Sequence, residues 1–582
     1  MATADVLTSQ HLIEQDYDRT VREDIELFRA QSKQFSSGQL TADEFRPFRL
    51  RRGIYSQRQA DVHMIRTKIP GGLLTADQMR SLAEVADRFG GGKGHLTTRQ
   101  NMQYHFVPLA DVPDALHLLA DVRLTTREAC YNTVRNVTAC PLAGVHAEEP
   151  FDVQPYTRRL AFAFLHKDLT DSLPRKFKVA FVGCPEDCMA SPINDVGLRA
   201  VIRDGVKGFR MTVGGGLGPL PTEAKLLHEF IEADDVVRRV EAVIRVFNVH
   251  GNRANKNKAR LKFVMRERGF DWLRDTIEEQ YHEIVMHGGI DMPEEVPENF
   301  GGFVSTAPSK GTGEVLPMAP VSPEFAHWKQ TNAKPQKQPG YSIVTIRISN
   351  GNLTGSQMRD LAALAENAAD GFLRVTMAQN LVLAYVPVGA LERVYAALAK
   401  IGFAEDRAGE ISDTVTCPGA YSCNLALTKS MNLGAALAES TRKYDDPAIR
   451  ALSIKISGCP NSCGQHWIGD IGFYGNSRKI DGKEVPYYLM MLGGTQHEFG
   501  MAVQSLPARL TTVAVDRVLE HFKANRIEGE PFRAYVMRHK VQTFRKLTED
   551  LLKPPANDPE MYMDWGDDVA FSLKLGRGEC AA

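Results

Sequence analysis

At 582 residues, with a formal net charge of -1 and 24% charged side chains, the chain is long enough for about three or four cored domains. It carries no global charge excess that would draw nucleic acid or a membrane surface. Residues 1–17 hold Asp5, Glu14 and Asp16 and no apolar run of signal length, and no stretch approaches the ~20 apolar residues that span a bilayer, so a cytoplasmic protein is expected.

Residues 1–60 read as a polar, mostly helical arm ending in the basic run Arg46, Arg49, Arg51 and Arg52. From His63 the pattern becomes a strand, a Pro70-Gly71-Gly72 turn, a helix opened by the capping box Thr75-x-x-Gln78, and two further strands, a β-α-β-β unit over 61–125. The same unit returns over 341–405. At an offset of 279 residues, fifteen of the 37 positions from Gly72 to Pro108 are identical, where ordinary composition gives about two or three. The chain is a duplication, with 126–300 and 406–545 as the two larger domains. The stretch 301–340, rich in Pro, Gly, Ser and Thr, reads as a linker. A helix is expected over 510–525, then a tail over 546–582 whose Cys580 is expected to be exposed and incidental.

Nine cysteines, six of them in short pairs, suit metal chemistry in a reducing compartment better than a disulfide framework. Cys417-Pro-Gly-Ala-Tyr-Ser-Cys423 and Cys459-Pro-Asn-Ser-Cys463 can bring four thiolates to one point. Five residues between Cys417 and Cys423 fit zinc poorly, so an iron–sulfur cluster is the better reading.

The two copies divide the chemistry. The first has Cys140, Cys184 and Cys188 answering Cys417, Cys459 and Cys463, but His146 where Cys423 falls. It carries cations that the second lacks: Arg66 faces Thr345, Arg99 faces Ala378, Arg135 faces Ser412, Lys176 faces Ala451 and Lys178 faces Ser453. Lys176 and Lys178, two apart at the start of the apolar stretch from Arg175 to Val182, are expected to project together, as are Arg66 and Lys68. Convergent lysines backed by arginines suit a small oxyanion. Gly214-Gly-Gly-Leu-Gly218 matches neither phosphate-loop nor dinucleotide spacing and reads as a turn for close approach to a flat cofactor or to the other half. The run Arg253 to Lys262 lacks the interleaved aromatics of a nucleic-acid patch and reads either as a partner for cofactor carboxylates or as a plain solvated loop.

These motifs resemble the sirohaem and [4Fe-4S] sulfite and nitrite reductases: Met64-Ile-Arg-Thr-Lys-Ile-Pro-Gly-Gly72, Thr97-Thr-Arg-Gln100, Val134-Arg-Asn-Val137, Leu173-Pro-Arg-Lys-Phe-Lys178 and both cysteine pairs. The resemblance implies an α+β, three-lobed, pseudo-twofold fold, with the two ferredoxin-like repeats paired in one lobe. It implies that Cys417, Cys423, Cys459 and Cys463 hold the cluster and that Cys463 also ligates the sirohaem iron. Arg66, Arg135, Lys176 and Lys178 would bind the anion and deliver protons. Arg99, Arg175, Lys256, Lys258 and Arg260, with Gln103 and His105, would meet the sirohaem. Cys130 resembles a cysteine that forms a thioether with tyrosine in some members, and Tyr55 is its candidate partner.

Plant-type nitrite reductases usually carry asparagine at the place of Lys178, so the second lysine favours sulfite, reduced by six electrons to sulfide, with nitrite to ammonia as the alternative. A non-catalytic iron–sulfur electron carrier is the reading from another class. No flavin or nicotinamide motif is present, so electrons are expected from ferredoxin or from a separate flavoprotein reductase. Cys140, Cys184, Cys188 and His146 are read as a relic of the duplication, with a second cluster as the rival.

Overall fold

The computed structural model describes residues 9–290, 296–297, 300, 322–555, 558–573, 576 and 579. The arm forms the helices Ser9–Ser36 and Ala42–Arg51. Tyr17, Val21, Ile25 and Phe28, three or four residues apart, make one buried stripe that joins the main core.

Each β-α-β-β repeat forms its helix, Ala76–Arg88 or Gly355–Ala368, and both capping boxes close, Thr75 with Gln78 and Thr354 with Gln357. The repeats exchange strands. One five-stranded sheet runs Ile54–Ser56, Val62–Arg66, Met102–Pro108, Lys93–Leu96 and then Asn352–Thr354 from the second copy. The other runs Ala333–Pro335, Tyr341–Ile346, Leu381–Pro387, Phe372–Val375 and then Leu73–Thr75 from the first. The chain crosses over at glycines. Gly72 (φ 70°) and Gly351 (φ 68°) take left-handed backbone, and a Cβ there would lie 2.8 Å from Val375 O and 2.7 Å from Leu96 O respectively.

Two larger sheets share one topology. The first runs Lys225–Glu232, Val206–Val213, Val196–Arg203, Val179–Val182 and Thr138–Ala139. The second runs Val415–Thr416, Ile454–Ser457, Ile471–Ile480, Lys483–Leu492 and Met501–Pro507. In both, the three strands nearest the cysteines are parallel. Cys140, Cys184, Cys417 and Cys459 each follow the carboxyl end of one of them, the position where α/β sheets hold ligands. The fold is a duplicated α+β fold.

Three expectations change. The linker over 301–340 is structured from Ser322 on: Ser322 caps the helix Pro323–Asn332, which buries Phe325 and Trp328, and the strand Ala333–Pro335 follows. Two anchoring aromatics were too few to show a periodicity, and 301–321 lie outside the described residues. Lys68 does not project with Arg66. The strand ends at Arg66, and Lys68 turns inward to a fully buried ion pair with Glu128 at 3.0 Å. The strand after Arg175 begins only at Val179, so Lys176 and Lys178 lie on its extended lead-in, where Phe177 bridges Val134. The expected helix over 510–525 is found at Thr511–Asn525, and Cys580 lies outside the described residues. Among the described residues no helix is long and apolar enough to cross a membrane.

Candidate active site

The loop carrying Cys459 and Cys463 is built on left-handed residues, Ser462 (φ 59°) and Gln465 (φ 61°), and its counterpart repeats them at Asp187 (φ 51°) and Ala190 (φ 46°). Gly458 donates its N–H to Cys417 Sγ at 3.2 Å, and Thr98 Oγ1 donates to the Cys463 carbonyl at 2.9 Å. The first repeat therefore holds the second half's cysteine loop in place.

All four cysteines line one chamber, and Cys417 and Cys463 also line a second. Cys417 and Cys459 are buried, Cys423 is half-buried, and Cys463 is the exposed one of the four, open to this shared space. Burial pushes the Cys417 and Cys459 thiols above their ordinary range, so they become thiolates by binding metal rather than on their own. Among the described residues, the sulfurs that all lie within 4.8 Å of one another are those of Cys140, Cys184 and Cys188. No three of Cys417, Cys423, Cys459 and Cys463 have their sulfurs all within that distance.

The second chamber is cationic. Arg66, Arg99, Arg135, Lys176 and Lys178 line it, and no carboxylate is among its described lining residues. Arg99 donates to Asn194 Oδ1 at 2.8 Å, and Arg135 Nε donates to the Ala129 carbonyl at 2.8 Å. With its amide turned to accept, Gln103 takes the Arg66 Nε–H at 2.7 Å. Burial, then the neighbouring Arg135, lowers Arg99 to about 9. Burial, then Arg99, Lys176 and Arg260, pushes the Lys178 ammonium well below its ordinary value. Arg135 is buried and the other four cations are half-buried, and so many cations drawn together favour an anion among them.

The chambers fit both groups that the resemblance implies. Buried polar atoms without a partner among the described residues face them: Arg99 Nε, Asn136 Oδ1, Ser462 Oγ and Gln465 Oε1 on the cationic side, and both His105 nitrogens on the cysteine side. A polycarboxylate macrocycle and a cluster with acceptor sulfurs supply acceptors for the donors among them, Arg99 Nε–H, Ser462 Oγ–H and the N–H of His105.

Of the sequence-derived candidates, Arg66, Arg99, Gln103, Arg135, Lys176, Lys178, His105 and the four cysteines converge here. Arg175 is half-buried and lines neither chamber, and Lys256 and Lys258 are exposed. Arg260 is buried behind the wall, bound to Asp195 at 2.7 Å, and Lys262 holds the Leu217 carbonyl at 2.9 Å. The basic run thus fastens the glycine turn, and Gly218 O accepts the Trp467 indole N–H of the other half at 3.0 Å. Tyr55 and Cys130 share one apolar cluster with Leu50 and Met64.

Sequence reasoning missed His95, Asn136, Gln465 and Glu579. His95, which answers Arg374 in the second copy, lines the cationic chamber, and burial lowers it to about 4. Glu579, in the tail, lines the cysteine chamber and is held by Arg49, by Ser56 N–H at 2.8 Å and by Ser56 Oγ at 2.7 Å.

Four cysteines around one chamber, sharing Cys463 with a cationic chamber, define a redox protein that couples an iron–sulfur centre to a small anion. The nitrite and sulphite reductase 4Fe-4S domain matches residues 130–285 and 408–555, and the nitrite/sulfite reductase ferredoxin-like half domain matches 55–128 and 334–401. The chain belongs to the sulfite and nitrite reductase family, and its cofactors are a [4Fe-4S] cluster and sirohaem.

Its relatives include the assimilatory ferredoxin-dependent nitrite reductase of Haloferax mediterranei, 30% identical over 511 residues covering 83% of each chain. The chloroplastic ferredoxin–nitrite reductase of Zea mays is 31% identical over 519 residues covering 86% of each. The solved structure of the NirA protein of Mycobacterium tuberculosis superposes with a TM-score of 0.74 at 25% identity, covering 92% of this chain and 98% of that one.

Proposed function

We propose that the chain reduces nitrite to ammonia with six electrons delivered by ferredoxin. One observation carries the reading: Cys417 and Cys463 line both the chamber of four cysteines and the chamber of five cations without a carboxylate, and of the two Cys463 is the exposed one. Relatives that match most of its length are named ferredoxin-dependent nitrite reductases.

When bound, the cluster and sirohaem supply single electrons and an iron that takes the anion's central atom. The protein's part is binding and acid. Arg66, Arg135, Lys176 and Lys178 hold the anion, and Arg99, half-buried in the chamber wall, meets cofactor carboxylates. A lysine whose ammonium has been made more acidic is a better proton donor near neutral pH, so Lys178 is the first candidate to protonate an oxygen that leaves as water. His95, neutral at pH 7, offers a hydrogen bond rather than a charge.

The second reading is sulfite, and Lys178 favours it, because a more highly charged anion rewards a second lysine. The two are separated by kcat/KM for nitrite and for sulfite with reduced methyl viologen; a preference for sulfite overturns the nitrite assignment. Turnover with reduced ferredoxin, against none with it and activity only with a flavoprotein partner, tests the donor. The candidate Tyr55–Cys130 link is read from the intact mass, which falls by two hydrogens if the bond is present.

A further inference from the structure

The first copy keeps three cysteines on the same two loops that hold the cluster in the second. Cys140 follows Thr138–Ala139, and Cys184 and Cys188 follow Val179–Val182 on a loop with the same left-handed pair as the cluster loop. Cys140 and Cys184 are buried and Cys188 is half-buried. Their three sulfurs all lie within 4.8 Å of one another.

That spacing selects the ligand. A tetrahedral ion with metal–sulfur bonds of ~2.3 Å sets its thiolates ~3.8 Å apart, inside the observed limit. A cubane keeps its cysteines farther apart, since each binds a different corner, and no three of the four sulfurs around the other chamber lie all within 4.8 Å of one another. A disulfide would use two of the three and strand the third. Soft thiolates select zinc or ferrous iron.

We propose that Cys140, Cys184 and Cys188 bind one zinc-like divalent ion through three thiolates, as a site separate from the cluster and sirohaem. His146, which answers Cys423, stands at its rim. Its Nδ1 accepts the Glu148 N–H at 3.1 Å and its Nε2 lies 3.4 Å from Glu186, so the fourth position is left to water or to a turn of this ring.

The site lies behind a wall of the cationic chamber. The segment that begins at Cys184 continues to Met189, Ile193 and Asn194, which line that chamber, and Asn194 accepts from Arg99 at 2.8 Å. Its Asp187 also lies 3.9 Å from His497 of the second half. The ion ties the first copy's two loops together where they meet both the substrate chamber and the other copy.

The test uses the full-length holoenzyme purified without chelator. Zinc, iron and acid-labile sulfide are counted per chain, and X-ray absorption is recorded at the edge of the extra metal. The expected result is about five irons and about four sulfides for the sirohaem and one cubane, plus about one further zinc or iron with about three sulfur neighbours at ~2.3 Å. Cys184→Ser should lose that ion while the cluster iron and the sirohaem Soret band persist. Two results overturn the proposal: no metal beyond the five irons with three titratable thiols in their place, or about nine irons with about eight sulfides, which marks a second cubane. The counts on unaltered protein decide the matter even if the variant does not fold.

Discussion

Replacing Glu579 by alanine tests how the cysteine chamber is closed. Arg49 and Glu579 are 7% and 8% exposed, and the carboxylate also accepts from Ser56 N–H and Ser56 Oγ. The tail is otherwise fastened by Asp564, which accepts the Lys429 N–H at 2.7 Å, and by Gly576 N–H donating to Asn424 O at 3.2 Å. Breaking a buried pair from one side costs ~3–5 kcal/mol, since Arg49 is left without its carboxylate. Spent on a local opening, this raises the undocked population by ~10²- to ~10⁴-fold.

Hydrogen exchange or limited proteolysis of the tail reads that population directly, and bleaching of the cluster absorbance in air reads its consequence. Glu579→Gln, which keeps an acceptor for Ser56, should fall between. Burial alone would raise the Glu579 carboxyl, but Arg49 and Ser56 hold it below its ordinary value. Docking is therefore full above the ordinary carboxylate range and weakens as pH falls through the lowered value. Unchanged protease sensitivity and unchanged bleaching in Glu579→Ala would refute the closure.

Three further outcomes are expected. Cys463→Ser should lose the sirohaem Soret band and turnover together, because it is the exposed one of the two cysteines that line both chambers; a variant with normal spectrum and rate would remove that shared role. Lys178→Asn should lower kcat/KM by ~10²-fold through loss of an acid, with the larger fall for sulfite than for nitrite; equal falls would mean that Lys178 does not discriminate. Glu149, raised by burial to about 7, is protonated in the folded protein below that value. Its contribution is full below the ordinary carboxylate range and lost as pH rises toward 7. Glu149→Gln should therefore flatten the dependence of Tm on pH between about 4.5 and 7, which thermal scans across that range would show.

The duplication, the convergence of Cys417, Cys423, Cys459 and Cys463 on one chamber and that of Arg66, Arg99, Arg135, Lys176 and Lys178 on another were legible in the chain because each rests on local spacing or on comparison of aligned copies. What needed three dimensions was hidden. Lys68 resembled Arg66 until its partner, Glu128, appeared 60 residues away. Lys256 and Lys258 carried the right charge, but only the fold decides that they face solvent while Arg260 points inward. Glu579 stood in a tail without pattern, and its value comes from Arg49, 530 residues earlier. The choice of sulfite rested on Lys178 alone, and the names of the relatives weigh against it.

The exchanged strands set a condition on how the protein is made. Leu96 leaves the ribosome 256 residues before Asn352, whose strand completes the first copy's sheet. At ~5–20 residues per second, the edge at Lys93–Leu96 stays bare for ~13–50 s of synthesis. A bare edge is an invitation to pair with any passing strand. The nascent chain must be shielded for that interval, and expression in heterologous hosts should be limited by holdase capacity as much as by the supply of sirohaem.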